Sequence, residues 1–250
     1  MEIIRQKRNE QAVQTSKKIT SAILLAAGFG TRLKPLTDKT PKALIELGDK
    51  KLIDFSLEYL QKNGITNVAI NLHHLGEQII EHVGTGKRYN LNVTYSKENP
   101  ILGTGGGIKQ AATLINAERV IVLNSDCLTH CNLAKLATHH HTSKADASMV
   151  LKKLGTDQNL GAVELESGLI KSFGSRGEHF FTGLQIIGPQ LLETLPAAGR
   201  SACLIKDGYL PMIKNGGKVS AYIYEGYWQD LGTPKRYEQA KLELAKNIAQ

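Results

Sequence analysis

Residues Leu25 to Leu44 read LAAGFGTRLKPLTDKTPKAL and extend an apolar run, Ala22-Ile23-Leu24-Leu25, dense enough for a strand buried on both faces. Past Leu25 the side chains almost vanish. Ala26, Ala27, Gly28 and Gly30 make a turn of little bulk, so a ligand can lie directly on backbone N–H groups. Arg32, Lys34, Lys39 and Lys42 then stand against one acid, Asp38. A bare backbone cradle followed by this charge reads as a site for a polyphosphate. Solvated cations after an ordinary strand-to-loop turn account for any one of these residues, and far less well for the run as a whole. A dinucleotide fingerprint is excluded because its third glycine position is Leu33, and Gly84-Thr85-Gly86-Lys87 lacks the upstream spacing of a Walker loop.

A chain of 250 residues with a hydrophobic fraction of 41% can bury a substantial core. No apolar run reaches the roughly 18 residues of a membrane span, and the N-terminus has no apolar segment of the secretory kind. Cys127, Cys131 and Cys203 are odd in number and form no metal framework, which suits a reducing cytoplasm. The net charge of +8 admits two partners, nucleic acid or a small anionic substrate. The cations are spread along the chain without interleaved aromatics, which favours the small anion over a specific nucleic-acid partner. Residues 1–18 form a polar, basic arm carrying Arg5, Lys7, Arg8, Lys17 and Lys18.

Leu52 to Leu60 has a helical period closed by Asn63-Gly64, and Val68 to Asn71 reads as a short strand. A helix over Glu77 to His82 and a strand over Leu91 to Ser96 continue the rhythm, which argues for a mixed, mostly parallel sheet with helices on both faces. A second glycine stretch, Leu102-Gly103-Thr104-Gly105-Gly106-Gly107, opens a helix predicted over Ile108 to Asn116; a flexible surface loop is the other reading. The strand Val120 to Leu123 runs into Asn124-Ser125-Asp126, and a carboxylate just past the end of a central strand is where open α/β sheets place ligand chemistry. Capping of the next helix is the lesser reading of Asp126. Histidines 139 to 141 on the helix Leu133 to His141 point about 100° apart and cannot share one ion, so a solvated face is expected. A hairpin is predicted around Ser167-Gly168, and Pro234 starts a last helix.

The opening run resembles the signature of the sugar-phosphate nucleotidyltransferases, L-A-A/G-G-x-G-T/E-R-L/M-x-P-L-T followed by P-K-x-L. Leu102 to Gly107 resembles the family segment that lines the nucleotide base and sugar, and Asn124-Ser125-Asp126 its N-G/S-D. Thr182-Gly183-Leu184 resembles a segment beside the sugar, and Trp228-Gln229-Asp230-Leu231-Gly232-Thr233-Pro234 its W-x-D-x-G-T-P. The resemblance spans about residues 19 to 245 and implies a Rossmann-like three-layer α/β/α fold, with residues 19–250 as a single nucleotidyltransferase domain acting as a monomer or homo-oligomer. It implies transfer of a nucleotidyl group from an NTP to a sugar 1-phosphate, with release of pyrophosphate.

By the same resemblance Leu25, Ala26, Ala27, Gly28, Gly30, Thr31, Gly103, Thr104, Gly105 and Asn124 cradle substrate. Arg32 holds the β- and γ-phosphates, Lys42 the α-phosphate or sugar phosphate, and Asp126 with Asp230 a Mg²⁺ ion. Glu98 falls where many members carry a base-reading Gln; a carboxylate accepts N–H from uracil, thymine or guanine. The family's E-K-P is here Ser175-Arg176-Gly177, so Arg176 is the candidate for the sugar-phosphate lysine. Asn71 to Ile79 and the short length look most like N-acetylmuramate-1-phosphate uridylyltransferases and mannose-1-phosphate guanylyltransferases, with uridylyl transfer ranked first. A non-catalytic nucleotide-sugar-binding regulator is the remaining alternative.

Overall fold

The computed structural model describes residues 18–155 and 161–248, so the basic arm lies outside the described residues apart from Lys18. The strands are β1 (Ser21–Leu25), β2 (Glu46–Leu47), β3 (Lys50–Lys51), β4 (Asn67–Leu72), β5 (Asn92–Lys97), β6 (Val120–Asn124) and β7 (Cys127–Thr129). They continue with β8 (Ala147–Lys153), β9 (Ala162–Glu166), β10 (Leu169–Gly174), β11 (His179–Ile187), β12 (Val219–Ile223) and β13 (Trp228–Asp230). The α-helices are α1 (Leu52–Lys62), α2 (Gly76–Val83), α3 (Gly103–Ala112), α4 (Leu133–Ser143), α5 (Pro189–Thr194), α6 (Leu210–Lys214) and α7 (Pro234–Ile248).

Nine strands form one sheet in the order β5-β4-β1-β6-β11-β8-β12-β10-β9. Alternation along β1 explains the layers. Ala22 and Leu24 face a core with Leu57 and Leu60 of α1, Ile79 of α2 and Leu136 of α4. Ile23 faces the opposite core, with Ile108 of α3, Leu191 of α5 and Met212 of α6. The parallel pairing expected from the strand–helix rhythm holds for β5, β4, β1 and β6 and again between β8 and β12. Between them β11 runs antiparallel to both β6 and β8, so the sheet is mixed at its centre. From β1 the chain steps to β4 and β5 on one side, then returns to β6 on the other. The carboxyl ends of β1 and β6, with Leu25 opposite Asn124, therefore flank a topological switch point, where open α/β sheets leave a crevice.

Helix α3 begins at Gly103 and ends at Ala112, earlier than the predicted span of Ile108 to Asn116. Glycine disfavours a helix interior by roughly 1 kcal/mol, yet the run is helical because its backbone is pressed against neighbours. A Cβ on Gly105 would lie 2.9 Å from the Leu204 nitrogen, and one on Gly107 only 2.5 Å from Glu98 Oε1. The hairpin forms as predicted, with φ of 51° at Ser167 and 79° at Gly168, the paired positive values of a type I′ turn.

The solvated face expected for the histidines is corrected at His140, which is buried. Arg119 Nε donates to His140 Nε2 at 3.0 Å, so the proton sits on Nδ1, which donates to Ser148 Oγ at 2.8 Å. Burial, reinforced by the Arg119 charge, pushes the His140 pKa down to about 4. The ring is a neutral packing element.

Candidate active site

The crevice at the switch point is a cleft of about 430 Å³. Its floor is the turn after β1. Leu25, Ala26, Ala27, Gly28 and Gly30 all line it, and a Cβ built on Gly28 meets no protein atom within 4 Å. Gly30 is required for a different reason: its φ is 65°, and a Cβ there would lie 2.7 Å from Thr37 Cγ2. Thr37 in turn donates from Oγ1 to the Gly30 carbonyl at 2.9 Å, which closes the loop. A short 3₁₀ turn over Thr31–Leu33 then presents Thr31 and Arg32 to the cleft while Leu33 is buried beneath them. Pro41 starts a second 3₁₀ turn, over Lys42–Leu44, and Lys42 reaches across the crevice to pair with Asp126.

The opposite wall carries Glu98, Gly103, Thr104 and Asn124. Glu98 is buried and is tied on both sides. Its Oε1 accepts from Asn71 Nδ2 at 2.7 Å and its Oε2 from the Leu102 N–H at 2.8 Å. Asn71 Oδ1 accepts from the Ala26 N–H at 2.7 Å. A continuous chain of bonds therefore runs from the first glycine loop through two buried side chains to the start of α3. His73 adds to it by donating from Nδ1 to the Glu98 carbonyl at 2.9 Å. Gly105, read as part of the cradle, instead faces residues 202–204, its N–H donating to the Ala202 carbonyl at 2.9 Å.

A second cleft of about 360 Å³ shares Leu25, Arg32, Thr104, Asn124 and Asp126 with the first. Its further wall brings in Thr182 and Gly183 of β11 and Asp230 of β13. Gly183, with φ of 89°, leaves room for Asn124, whose Nδ2 would lie 2.6 Å from a Cβ at that position. Thr182 Oγ1 is turned inward, donating to the Val150 carbonyl at 2.8 Å, so Thr182 offers the cleft its backbone. Arg176 is placed elsewhere: it is exposed in the turn between β10 and β11 and lines neither cleft.

Asp126 and Asp230 are brought together by the two-stranded ribbon of β7 and β13, in which Asp230 lies opposite Cys127 and the Leu231 N–H donates to the Asp126 carbonyl at 2.9 Å. Each carboxylate already holds a positive group, Lys42 on Asp126 and Arg236 on Asp230. Between them Cys127 is buried, and burial together with the two carboxylates pushes its thiol well above the ordinary range. Two carboxylates lining one cleft are hard oxygen donors of the kind a divalent cation takes alongside phosphates.

A family model described as nucleotidyl transferase matches residues 21–247. The chain belongs to the nucleotidyl transferase family. It is 32% identical over 227 residues to a mannose-1-phosphate guanyltransferase of Schizosaccharomyces pombe, and 26% identical over 235 residues to a mannose-1-phosphate guanylyltransferase of Mycobacterium tuberculosis. These alignments take in 86% and 91% of this chain but only 62% and 65% of the relatives' length. Among solved structures, HddC from Yersinia pseudotuberculosis complexed with GMP-PN superposes with a TM-score of 0.78 at 25% identity, over 90% of this chain and 100% of the other. A UDP-glucose pyrophosphorylase complexed with UDP-glucose superposes with a TM-score of 0.76 at 20% identity, over 92% and 100%, which shows the shared Rossmann-like α/β fold.

Several residues that line the two clefts were not singled out as site residues by the sequence reading. Asn71, Ile101 and Ser125 line the first cleft, and Phe181, Trp228 and Arg236 the second. Asn71 did carry a signal: an amide between Ile70 and Leu72 on a buried strand is a polar group that burial must satisfy.

Proposed function

We propose that this nucleotidyl transferase joins an NTP to a sugar 1-phosphate, giving an NDP-sugar and pyrophosphate, and that GTP and mannose 1-phosphate are the pair to test first. The observation that carries the reading is the cleft itself. A turn almost without side chains, Arg32, Lys42, Asp126 and Asp230 line the two joined clefts where β1 and β6 end. The relatives' names and the GMP-PN held by HddC support guanylyl over the uridylyl transfer ranked first from sequence. Glu98, whose two oxygens already accept from Asn71 and the Leu102 N–H, does not discriminate between the bases.

In the reaction a sugar-phosphate oxygen attacks the α-phosphorus. The new P–O bond forms as the bond to the β-phosphate oxygen breaks, and pyrophosphate leaves opposite. The nucleophile is already ionised at neutral pH, so no general base is required, and positioning with charge neutralisation carries the step. Arg32 supplies a forked guanidinium for the leaving pyrophosphate, Lys42 a compact ammonium for the phosphates that meet. Asp126 and Asp230 would hold Mg²⁺, which supplies charge neutralisation across phosphate oxygens when bound.

Pyrophosphate release, measured with Mg²⁺ across five NTPs and a panel of sugar 1-phosphates, tests the reading. The highest kcat/KM is expected for GTP with mannose 1-phosphate. A higher value for UTP with N-acetylmuramate 1-phosphate would restore the uridylyl reading, and nucleotide binding without pyrophosphate release would favour the regulator.

A further inference from the structure

We propose that Arg236, rather than Arg176, is the residue that anchors the phosphate of the sugar-phosphate substrate; this rests on the reaction class proposed above. Two anions must meet in this site, so each needs its own cation. Arg32 and Lys42 both line the first cleft. Among the described residues lining the second cleft, the lysine and arginine side chains are Arg32, which is shared with the first, and Arg236, which is not. Arg176, the candidate from sequence, is exposed outside both.

Arg236 is also held in place for the task. It sits in the first turn of α7, and the helix is pinned there by Tyr237, whose hydroxyl donates to the Glu46 carbonyl. The Arg236 carbonyl accepts from Gln229 Nε2 at 3.2 Å. Its guanidinium pairs with Asp230 through Nη1, and a guanidinium has five N–H donors in a planar fork. The fork therefore keeps donors for two phosphate oxygens beyond that bond.

The first turn of α7 contains no acidic residue, and the positive end of a helix dipole favours anions. The Asp230 carboxylate already offsets part of this positive charge at Arg236. A phosphate would meet the remaining guanidinium donors and the helix end together.

Trp228 provides a readout that does not need turnover. It is the chain's single tryptophan, it lines the same cleft, and its indole N–H donates to the Thr182 carbonyl at 3.1 Å. The test titrates mannose 1-phosphate, mannose and inorganic phosphate against Trp228 emission in the full chain and in Arg236→Gln, Arg236→Lys and Arg176→Gln. Losing a charge-assisted fork should weaken both phosphate-bearing probes by about 10- to 100-fold in Arg236→Gln. Arg236→Lys should fall between, which also covers a poorly folded Gln variant. Mannose should be unaffected and Arg176→Gln should match the unaltered chain. In turnover, the sugar-phosphate KM should rise about tenfold or more while the GTP KM stays within about twofold. A role confined to steadying Asp230 would instead change the Mg²⁺ requirement and leave the phosphate titration flat. That result overturns the proposal, as does loss of phosphate binding in Arg176→Gln, or no response of the unaltered chain to either phosphate probe. A response to inorganic phosphate that Arg236→Gln removes, without turnover of any sugar 1-phosphate, upholds the anchor and refutes the reaction.

Discussion

The substitution Asn71→Asp changes one donor into an acceptor inside the bond chain that joins the two cleft loops. The introduced carboxylate keeps the acceptor for the Ala26 N–H, now made at 2.7 Å. It loses the donation to Glu98 Oε1, also at 2.7 Å and made in a buried setting. A hydrogen bond to a charged group contributes roughly 1.5–3 kcal/mol. Two carboxylates at about 4 Å with an effective dielectric near 20 repel by about 4 kcal/mol before they relax. The expected loss of folding stability at pH 8 is therefore about 3–5 kcal/mol, several times the ~1 kcal/mol typical of point substitutions. The two carboxylates can share a proton in the folded chain that the unfolded chain does not hold. The deficit must then shrink as pH falls and grow as it rises. Urea unfolding followed by circular dichroism at pH 8 and pH 5.5 measures both the size and the trend. A variant within about 0.5 kcal/mol of the unaltered protein at both pH values would refute the assignment of Asn71 as the donor that holds Glu98.

Asp126→Asn keeps volume but removes the oxygen proposed to hold Mg²⁺ and the partner of Lys42, so turnover by pyrophosphate release should fall by orders of magnitude with the circular dichroism unchanged; full turnover would sink the metal assignment. Gly107→Ala places a Cβ 2.5 Å from Glu98 Oε1 and 2.7 Å from Asn71 Nδ2, and should cost about 1–3 kcal/mol in urea unfolding, whereas Gly28→Ala should leave stability unchanged and weaken nucleotide binding. His140 titrates near 6.5 unfolded and about 4 folded, so its stabilisation is complete above pH 6.5 and is lost as pH falls towards 4. That shift corresponds to about 3 kcal/mol, and His140→Gln should flatten the stability profile in that window; an unchanged slope would place the acid sensitivity elsewhere.

The glycine loop, the strand that feeds it and the aspartate after β6 were legible because each rests on local chemistry: no Cβ, an apolar run, a carboxylate at a strand end. The start of α3 was not. Its glycines look like loop residues until residues 200–204 are packed against them, and that contact joins segments about a hundred residues apart in the chain. Antiparallel β11 was hidden for a similar reason, since strand rhythm says which segments pair with helices but not which sheet neighbours they choose. Glu98 shows a finer limit. It lines the first cleft, whereas its two donors, Asn71 and Leu102, come from a distant strand and from a backbone and could not be read from the sequence. Arg176 illustrates the converse: a cation in the expected register is exposed in the connection between β10 and β11 and lines neither cleft.

The buried chain from Ala26 through Asn71 and Glu98 to Leu102 has a consequence for how a nucleotide arrives. Freezing a loop residue costs roughly 1–2 kcal/mol of conformational entropy, and in most glycine-rich loops the ligand meets part of that cost on binding. Here the two loops are already joined when the chain folds, so the cost belongs to folding. Nucleotide affinity should then follow phosphate and base contacts alone, association should be quick and single-phase, and the heat-capacity change should be that of a rigid cleft losing water rather than of a segment taking shape.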